Sequence, residues 1–180
     1  RQLPALTSTI GRSKAEVMGE RLKDINPEIQ LRVIAEFIRD QRMINILEEE
    51  KYDYVVDAID TLSPKVFLIY HSLRLKLKIV SSMGAGGKFD PTHIKIADIS
   101  KTNYCNLARM LRKKLHKLGV RDGFTAIYSP EVVDKDKIIR GSEESNKASS
   151  VGTISYMPAA FGIACASVVI RDIAGIEPEE

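Results

Sequence analysis

The densest group of chemically active side chains in the sequence is a basic stretch, residues 99–121, which contains no Asp or Glu. It carries Lys or Arg at seven positions, which are Lys101, Arg109, Arg112, Lys113, Lys114, Lys117 and Arg121. Such side chains neutralise nucleic-acid phosphates, but they also form the solvated face of many amphipathic helices. Tyr104 and Phe124 only flank the stretch, so the sequence does not predict base stacking. On composition alone, both interpretations of the basic stretch stay open.

A second candidate is the glycine-rich run Gly84-Ala85-Gly86-Gly87, whose composition is that of a phosphate-binding loop. A phosphate loop should open a helix, because the backbone N–H groups of the first turn then face the anion. This run precedes a predicted strand instead. We therefore favour a structural turn near the substrate pocket.

The remaining candidates for metal or nucleophile chemistry are few. Cys105 and Cys165 form no C-x-x-C pair, so neither a disulfide framework nor a four-cysteine zinc site is expected. We interpret both as ordinary thiols, with Cys165 in a buried helix. His71, His93 and His116 show no metal-ligand spacing, and we interpret them as structural or solvated.

Length and composition are typical of a globular protein. The 180 residues, of which 44% are apolar and 28% charged, are enough for one compact α/β domain. With no paired cysteines, a reducing compartment is the default, and we expect a cytoplasmic protein. The longest apolar stretch, residues 158–170, is shorter than the ~20 residues that a membrane-spanning helix needs. We predict a buried core helix there and no membrane span.

The elements that must position these residues follow from hydrophobic periodicity. Ser13 and Glu16 form a capping box that predicts the start of a first helix. The predicted helices cover residues 14–24, 41–49, 63–75, 104–118 and 158–174. The predicted strands cover residues 29–35, 53–58, 78–83, 93–99, 124–129 and 151–157. Alternation of strand and helix favours a doubly wound α/β sheet, and the polar composition of residues 131–150 predicts a mobile loop.

Three segments together carry a family resemblance. The first two place the chain with the ubiquitin-activating-enzyme-like adenylating enzymes, the ThiF, MoeB and HesA family. The first segment comprises Arg1-Gln2, residues 10–16 (IGRSKAE) and residues 25–27 (INP). The second comprises residues 57–60 (DAID). The third resembles the branch of that family that dehydrates threonylcarbamoyladenosine in tRNA, and it comprises residues 84–92 (GAGGKFDPT) and 98–102 (DISKT).

The resemblance implies one partial ThiF-type adenylating domain over residues 1–180, in the C-terminal part of a Rossmann-like, doubly wound mixed sheet flanked by helices. The family's glycine-rich nucleotide loop is expected before Arg1 and is not in this sequence. The zinc-binding cysteine pairs of many relatives are also missing, which fits the dehydratase branch.

The implied chemistry is adenylation of a carboxylate by ATP, which needs fixed cations and Mg²⁺ around the phosphates. By resemblance, Arg1 and Lys14 contact the phosphates and Asp60 helps to hold Mg²⁺. Without the resemblance, Lys14 would be a solvated lysine and Asp60 the cap of the next helix. No covalent protein intermediate is implied, so no cysteine is assigned as a nucleophile.

The implied substrate is tRNA, whose threonylcarbamoyl carboxylate is activated and then cyclised with loss of water. This favours phosphate contact for Arg109, Arg112, Lys113, Lys114 and Lys117. The family also implies a homodimer and a sulfur-relay protein partner. Two alternatives remain: an adenylyltransferase for the C-terminal glycine of a ubiquitin-like sulfur carrier, and a non-catalytic fragment or dimerisation module.

Overall fold

A computed structural model describes residues 2–133, 138–140 and 149–176. The chain divides into two compact units, Arg1–Ile38 and Arg39–Glu180. The first unit contains helix α1 (Lys14–Ile25), which begins where the sequence predicts. Ser13 is its N-cap residue but makes no side-chain capping hydrogen bond, so the predicted capping box is wrong.

The predicted strand at residues 29–35 is also wrong, because this segment joins no sheet in the described part of the first unit. Its alternating side chains pack on α1 instead. Gly19 is buried in α1, and a Cβ added there would lie 2.7 Å from Val33 Cγ2 and 3.6 Å from Leu31 Cδ2. A pattern of period two therefore came from packing on a helix and not from strand pairing.

The second unit alternates strands and helices. Its elements run in the order α2 (Asp40–Glu49), β1 (Val55–Asp57), α3 (Leu62–Arg74), β2 (Ile79–Ser82), β3 (Lys95–Asp98), α4 (Asn106–Lys117), β4 (Thr125–Tyr128), β5 (Ile138–Arg140), β6 (Ser149–Val151) and α5 (Tyr156–Ile173). Within the described residues, the main sheet has the order β1-β2-β4-β3. The strands β1, β2 and β4 are parallel and β3 is antiparallel to β4. This confirms the predicted mixed α/β sheet.

Helices cover both faces of the sheet. On one face α3 and α4 pack on β2 and β4, and Ile69, Leu111 and Ala126 lie at the centre of that core. On the other face Met157 and Phe161 of α5 pack on Val80 and Ile127 of the same two strands. Burial of these apolar side chains drives the assembly of the three layers.

By length and composition, α5 is also the one helix in the described residues that could cross a bilayer. In the structure its inward side chains form the second core. The buried residues of α5 are Met157, Phe161 and Cys165, so the predicted buried core helix is right for its inner side and wrong for the rest of the helix.

Strands β5 and β6 form an antiparallel pair, with Ile139 opposite Ser150. Apart from Val151, the pair falls within residues 131–150, for which the sequence predicted a mobile loop. Residues 134–137 and 141–148 of that range lie outside the described residues.

The ends of α3 and α4 have the same hydrogen bonds but different residues. After α3, the Lys76 N–H donates to the Leu73 carbonyl (3.0 Å) and the Leu77 N–H to the Ser72 carbonyl (2.9 Å), a Schellman motif. After α4, the Gly119 N–H donates to the His116 carbonyl (3.1 Å) and the Val120 N–H to the Leu115 carbonyl (3.0 Å). Gly119 has φ +83°. Lys76 adopts φ +58° at the same position, where a side chain is unfavourable.

Candidate active site

The carboxyl ends of the three parallel strands lie at one edge of the sheet, where ligands bind in open α/β folds. The loop after β1 contains Asp60, the loop after β2 contains Gly84–Gly87, and the segment after β4 contains Glu131. The D-x-x-D loop and residues 84–92 of the third resemblance segment therefore meet at this edge, whereas residues 98–102 follow β3 at the opposite edge.

A buried ion pair holds the first loop. Lys65 of α3 and Asp57 of β1 are both fully buried, and Lys65 Nζ lies 2.7 Å from Asp57 Oδ2. Lys65 Nζ also donates to the carbonyls of Ile59 (3.0 Å) and Ser82 (2.8 Å). The Ser81 hydroxyl donates to Asp57 Oδ2 (2.6 Å). Sequence reasoning did not single out Lys65 or Ser81.

The glycine run after β2 is a turn with a packing role. Gly87 has φ +69°, and a Cβ there would lie 2.6 Å from Val133 Cγ1. Its N–H donates to the Gly152 carbonyl (2.8 Å), which ties the turn to the chain after β6. The run is followed by a short 3-10 helix, Pro91–His93, and does not open an α-helix. This supports the interpretation as a structural turn.

Lys88 and Glu131 join the loops after β2 and β4. Lys88 is buried, and its Nζ donates to the carbonyls of Ser129 (3.0 Å) and Glu131. Burial lowers the pKa of Lys88, against opposing effects from Cys105 and Glu131. The Glu131 carboxylate accepts hydrogen bonds from the Phe89 and Asp90 N–H groups and from the Ser129 hydroxyl.

Burial by itself raises the pKa of Glu131, but its hydrogen bonds, together with the charge of Lys88, outweigh burial and leave this pKa below its usual value. Glu131 is therefore a structural acceptor in the folded protein. The segment that follows the glycine turn is fixed to the end of β4 through both side chains.

The residues assigned to ATP fall in different parts of the structure. Asp60 is exposed in the loop after β1, at the carboxyl edge. Lys14 is the first residue of α1 in the first unit and is exposed. Arg1 lies outside the described residues. Among the described residues, no three His, Cys, Asp or Glu side chains form a metal cluster.

The basic residues of α4 separate into two groups. Arg109, Lys113 and Lys117 are exposed and follow one another at intervals of four residues, so they form a line about 12 Å long on one side of the helix. Lys114 is exposed as well. Arg112 differs, because its Nη1 donates to Thr102 Oγ1 and to the Thr102 carbonyl (2.9 Å). The structure thus gives Arg112 an internal contact, which the sequence did not predict.

The DISKT segment, residues 98–102, forms a turn held by hydrogen bonds to the Asp98 carboxylate. Asp98 accepts from the Ser100 N–H (2.8 Å) and hydroxyl (2.6 Å) and from the Gly123 N–H (2.9 Å). Burial acts to raise the pKa of Asp98, but the hydrogen bonds from Ser100, Gly123 and Phe124 outweigh it and lower this pKa. Asp98 and Thr102 therefore build the turn on which α4 begins.

The D-x-x-D loop and the glycine turn lie beside each other at the edge of the sheet where open α/β folds bind ligands. The family model described as the ThiF family matches residues 1–180, and the chain belongs to this family.

Its relatives include proteins named tRNA threonylcarbamoyladenosine dehydratase. That of Haemophilus influenzae is 38% identical over 180 residues, covering 94% of this chain and 69% of the relative. That of Bacillus subtilis is 34% identical over 180 residues, covering 96% and 70%.

Solved structures agree in fold. Escherichia coli tRNA N6-threonylcarbamoyladenosine dehydratase, TcdA, has been solved in complex with AMP and in complex with ATP. Both complexes superpose on this chain with a TM-score of 0.84 at 32% identity and cover 97% of it. The chain covers 70% of the AMP complex and 69% of the ATP complex.

Proposed function

We propose that this protein is an ATP-dependent tRNA-modifying enzyme that dehydrates N6-threonylcarbamoyladenosine. The observation that carries the proposal is the meeting of the D-x-x-D loop and the glycine turn at the carboxyl edge of the sheet. The same fold holds ATP or AMP in the E. coli enzyme.

The reaction has two steps. The substrate carboxylate attacks the α-phosphorus of ATP, so that a new P–O bond forms and the bond to pyrophosphate breaks. An atom of the same side chain then attacks the activated carbonyl carbon, loses its proton and expels AMP. The ring closes with the net loss of one water, and the attack is fast because both groups belong to one side chain.

Each assigned residue has a role suited to its chemistry. Asp60, an exposed carboxylate at the strand edge, would be an oxygen ligand of Mg²⁺, which usually takes one or two carboxylates together with substrate phosphates. Lys14 supplies a flexible positive charge, and Arg1 a planar fork for phosphate oxygens. Bound Mg²⁺ would neutralise the charge that develops on the phosphates.

A pyrophosphate–ATP exchange assay on the protein in its natural form tests the adenylation step. We expect exchange that depends on tRNA carrying threonylcarbamoyladenosine, and its loss in Asp60→Asn. Asp53→Asn is the matched control, because Asp53 is an exposed carboxylate just before β1, on the same strand-loop segment, and should leave exchange unchanged. Exchange that depends on a ubiquitin-like carrier, and not on tRNA, would replace the dehydratase with the sulfur-carrier alternative.

The exposed line on α4 is the proposed tRNA contact. Lys113 and Lys117 lie at the outer surface, whereas Arg112 is engaged by the Thr102 turn. Charge reversal at Lys113 and Lys117 should weaken tRNA binding and reduce its salt dependence, since each lost phosphate contact removes about 0.9 from the slope of log K against log salt for a duplex. The same reversal at Lys95, which is exposed on β3, is the control. Equal effects of both reversals would point to net charge and not to a local contact.

We also propose a cytoplasmic homodimer. The outward side of α5 exposes Ile163, Ile170 and Ile173 at 71%, 64% and 63%, which is unusual for large apolar side chains of one helix. Light scattering should give the mass of two chains, and Ile163→Glu with Ile170→Glu should give one. A monomer in the unmodified protein would contradict the proposal. The sulfur-relay partner implied by the family stays a prediction.

A further inference from the structure

The buried ion pair Lys65–Asp57 lies directly beneath the loop that carries Asp60. Asp57 is the last residue of β1 and Lys65 lies in the first turn of α3, so the pair spans both ends of the loop. The Lys65 ammonium contacts three oxygen atoms: Asp57 Oδ2 at 2.7 Å, the Ile59 carbonyl at 3.0 Å and the Ser82 carbonyl at 2.8 Å. Three acceptors match the three protons of an ammonium.

The pair holds both polar groups of the residue before Asp60. The Ile59 N–H donates to Asp57 Oδ1 (3.0 Å), and the Ile59 carbonyl accepts from Lys65 Nζ (3.0 Å). Because the Ile59 carbonyl belongs to the peptide unit that begins Asp60, its orientation sets the plane from which the Asp60 backbone continues.

The same ammonium reaches the second loop. Ser82 is the last residue of β2 and lies two residues before the glycine turn begins. Lys65 Nζ donates to the Ser82 carbonyl (2.8 Å) and to the Ile59 carbonyl (3.0 Å), so it joins the end of β2 to the loop after β1. Ser81 closes the network by donating to Asp57 Oδ2 (2.6 Å).

A buried ion pair is a poor means of gaining stability alone. Removing two charges from water costs nearly as much as their attraction returns, and apolar side chains of similar size often serve a core as well. Charged pairs do, however, fix geometry, because their hydrogen bonds are short and directional. The position of this pair under the Asp60 loop points to that use.

We propose that Lys65 and Asp57 are positioning residues that orient Asp60 toward the metal–ATP complex and fix its distance from the glycine turn. The role rests on the proposed function, since it takes Asp60 as the Mg²⁺ ligand. Neither side chain touches substrate, because both are fully buried. Their loss should therefore weaken the binding of Mg²⁺–ATP and leave the binding of tRNA unaffected.

The single variant Lys65→Met leaves Asp57 charged and buried, which disfavours folding. The test therefore uses a double variant and a control variant. The double variant Asp57→Asn, Lys65→Met removes both charges and keeps the shape of the site. Lys78→Met is the matched control, because Lys78 forms a comparable pair with Asp172 (3.0 Å), exposed, just before β2.

Amide hydrogen exchange gives a readout that needs neither ATP nor activity. In the double variant we expect the Ile59 and Asp60 amides to exchange about tenfold faster, beyond any increase that they share with the amides of β2 and β4, which report the loss of global stability. In the control variant all of these amides should keep their rates. Unchanged exchange at Ile59 and Asp60 in the double variant would overturn the positioning role.

Kinetics gives the second readout. With the double variant we expect the Mg²⁺ concentration for half-maximal activity to rise about tenfold, the size of effect seen when groups behind a metal ligand are lost. The KM for tRNA should stay unchanged. A purely structural role would lower kcat in proportion to the folded fraction and leave the Mg²⁺ requirement as it was. If the unmodified protein shows no ATP-dependent activity, the proposed function fails, while the exchange result still decides whether the pair holds the loop.

Discussion

Replacing Lys65 by Met should be among the most destabilising single substitutions in this chain. The side chain is fully buried, and its loss leaves the Asp57 carboxylate without its cation. In the described part of the chain, the Ser81 hydroxyl and the Ile59 N–H then remain as its donors. Breaking a buried pair by removing one partner costs about 3–5 kcal/mol. That is a large part of the roughly 5–15 kcal/mol by which a domain is usually stable.

Adding Asp57→Asn to Lys65→Met should restore part of the loss. No charge then remains in the site, and the remaining penalty is that of the Ile59 and Ser82 carbonyls without their donor, about 1–3 kcal/mol. The second substitution is therefore expected to stabilise the first variant, which is the opposite of what two independent losses would give.

Urea unfolding followed by far-UV circular dichroism measures both values. With a slope of about 2 kcal/mol per molar urea, Lys65→Met should lower the midpoint by about 1.5–2.5 M. The double variant should unfold at a higher urea concentration than the single variant. An unchanged midpoint for Lys65→Met, or a double variant less stable than the single one, would refute the reasoning from the buried charge.

The remaining predictions concern the turns and the pH dependence. Lys76→Gly should stabilise the protein by about 1 kcal/mol in urea unfolding, because glycine adopts φ +58° without strain. Gly119→Ala at the same position of the next helix should destabilise it by a similar amount, and equal signs for the two would contradict this account. Gly87→Ala should cost about 1–3 kcal/mol, because φ +69° is strained and the new Cβ meets Val133 at 2.6 Å. The lowered pKa of Asp98 means that its contribution to stability is present above its unperturbed value of 3.8 and is lost as the pH falls through the lower folded value. Unfolding midpoints measured from neutral pH to below 3.8 should therefore fall less steeply in Asp98→Asn than in the unmodified protein, and parallel profiles would remove this role of Asp98.

Much of the second unit was predictable from its periodicity. Parallel strands buried on both faces give short apolar runs, and Val80 and Ile127 lie in two such runs. Gly119 marks the end of α4 because glycine is the residue that closes a Schellman motif without strain. The strand prediction at residues 29–35 was wrong because side chains that pack on α1 alternate in the same way as those of a strand.

The buried ion pair was harder to predict. Lys65 follows Pro64 in the first turn of a helix, where most lysines are solvated. Its register was nevertheless informative, since Lys65, Ile69 and Ser72 share the buried side of α3 at spacings of four and three residues. A lysine in register with a buried stripe, preceded by an Asp that ends a strand, is a signal for a buried pair. The inward turn of Arg112 had no such signal, because it depends on the position of the Thr102 carbonyl.

The most direct test of the proposed function is the mass of the modified nucleoside. The protein in its natural form is incubated with ATP, Mg²⁺ and tRNA that carries N6-threonylcarbamoyladenosine, and the digested tRNA is analysed by mass spectrometry. We predict a nucleoside lighter by one water, formed together with one AMP and one pyrophosphate per ring closed, and only when ATP is present. An unchanged nucleoside, with ATP consumed only when a sulfur-carrier protein is supplied, would contradict the assignment.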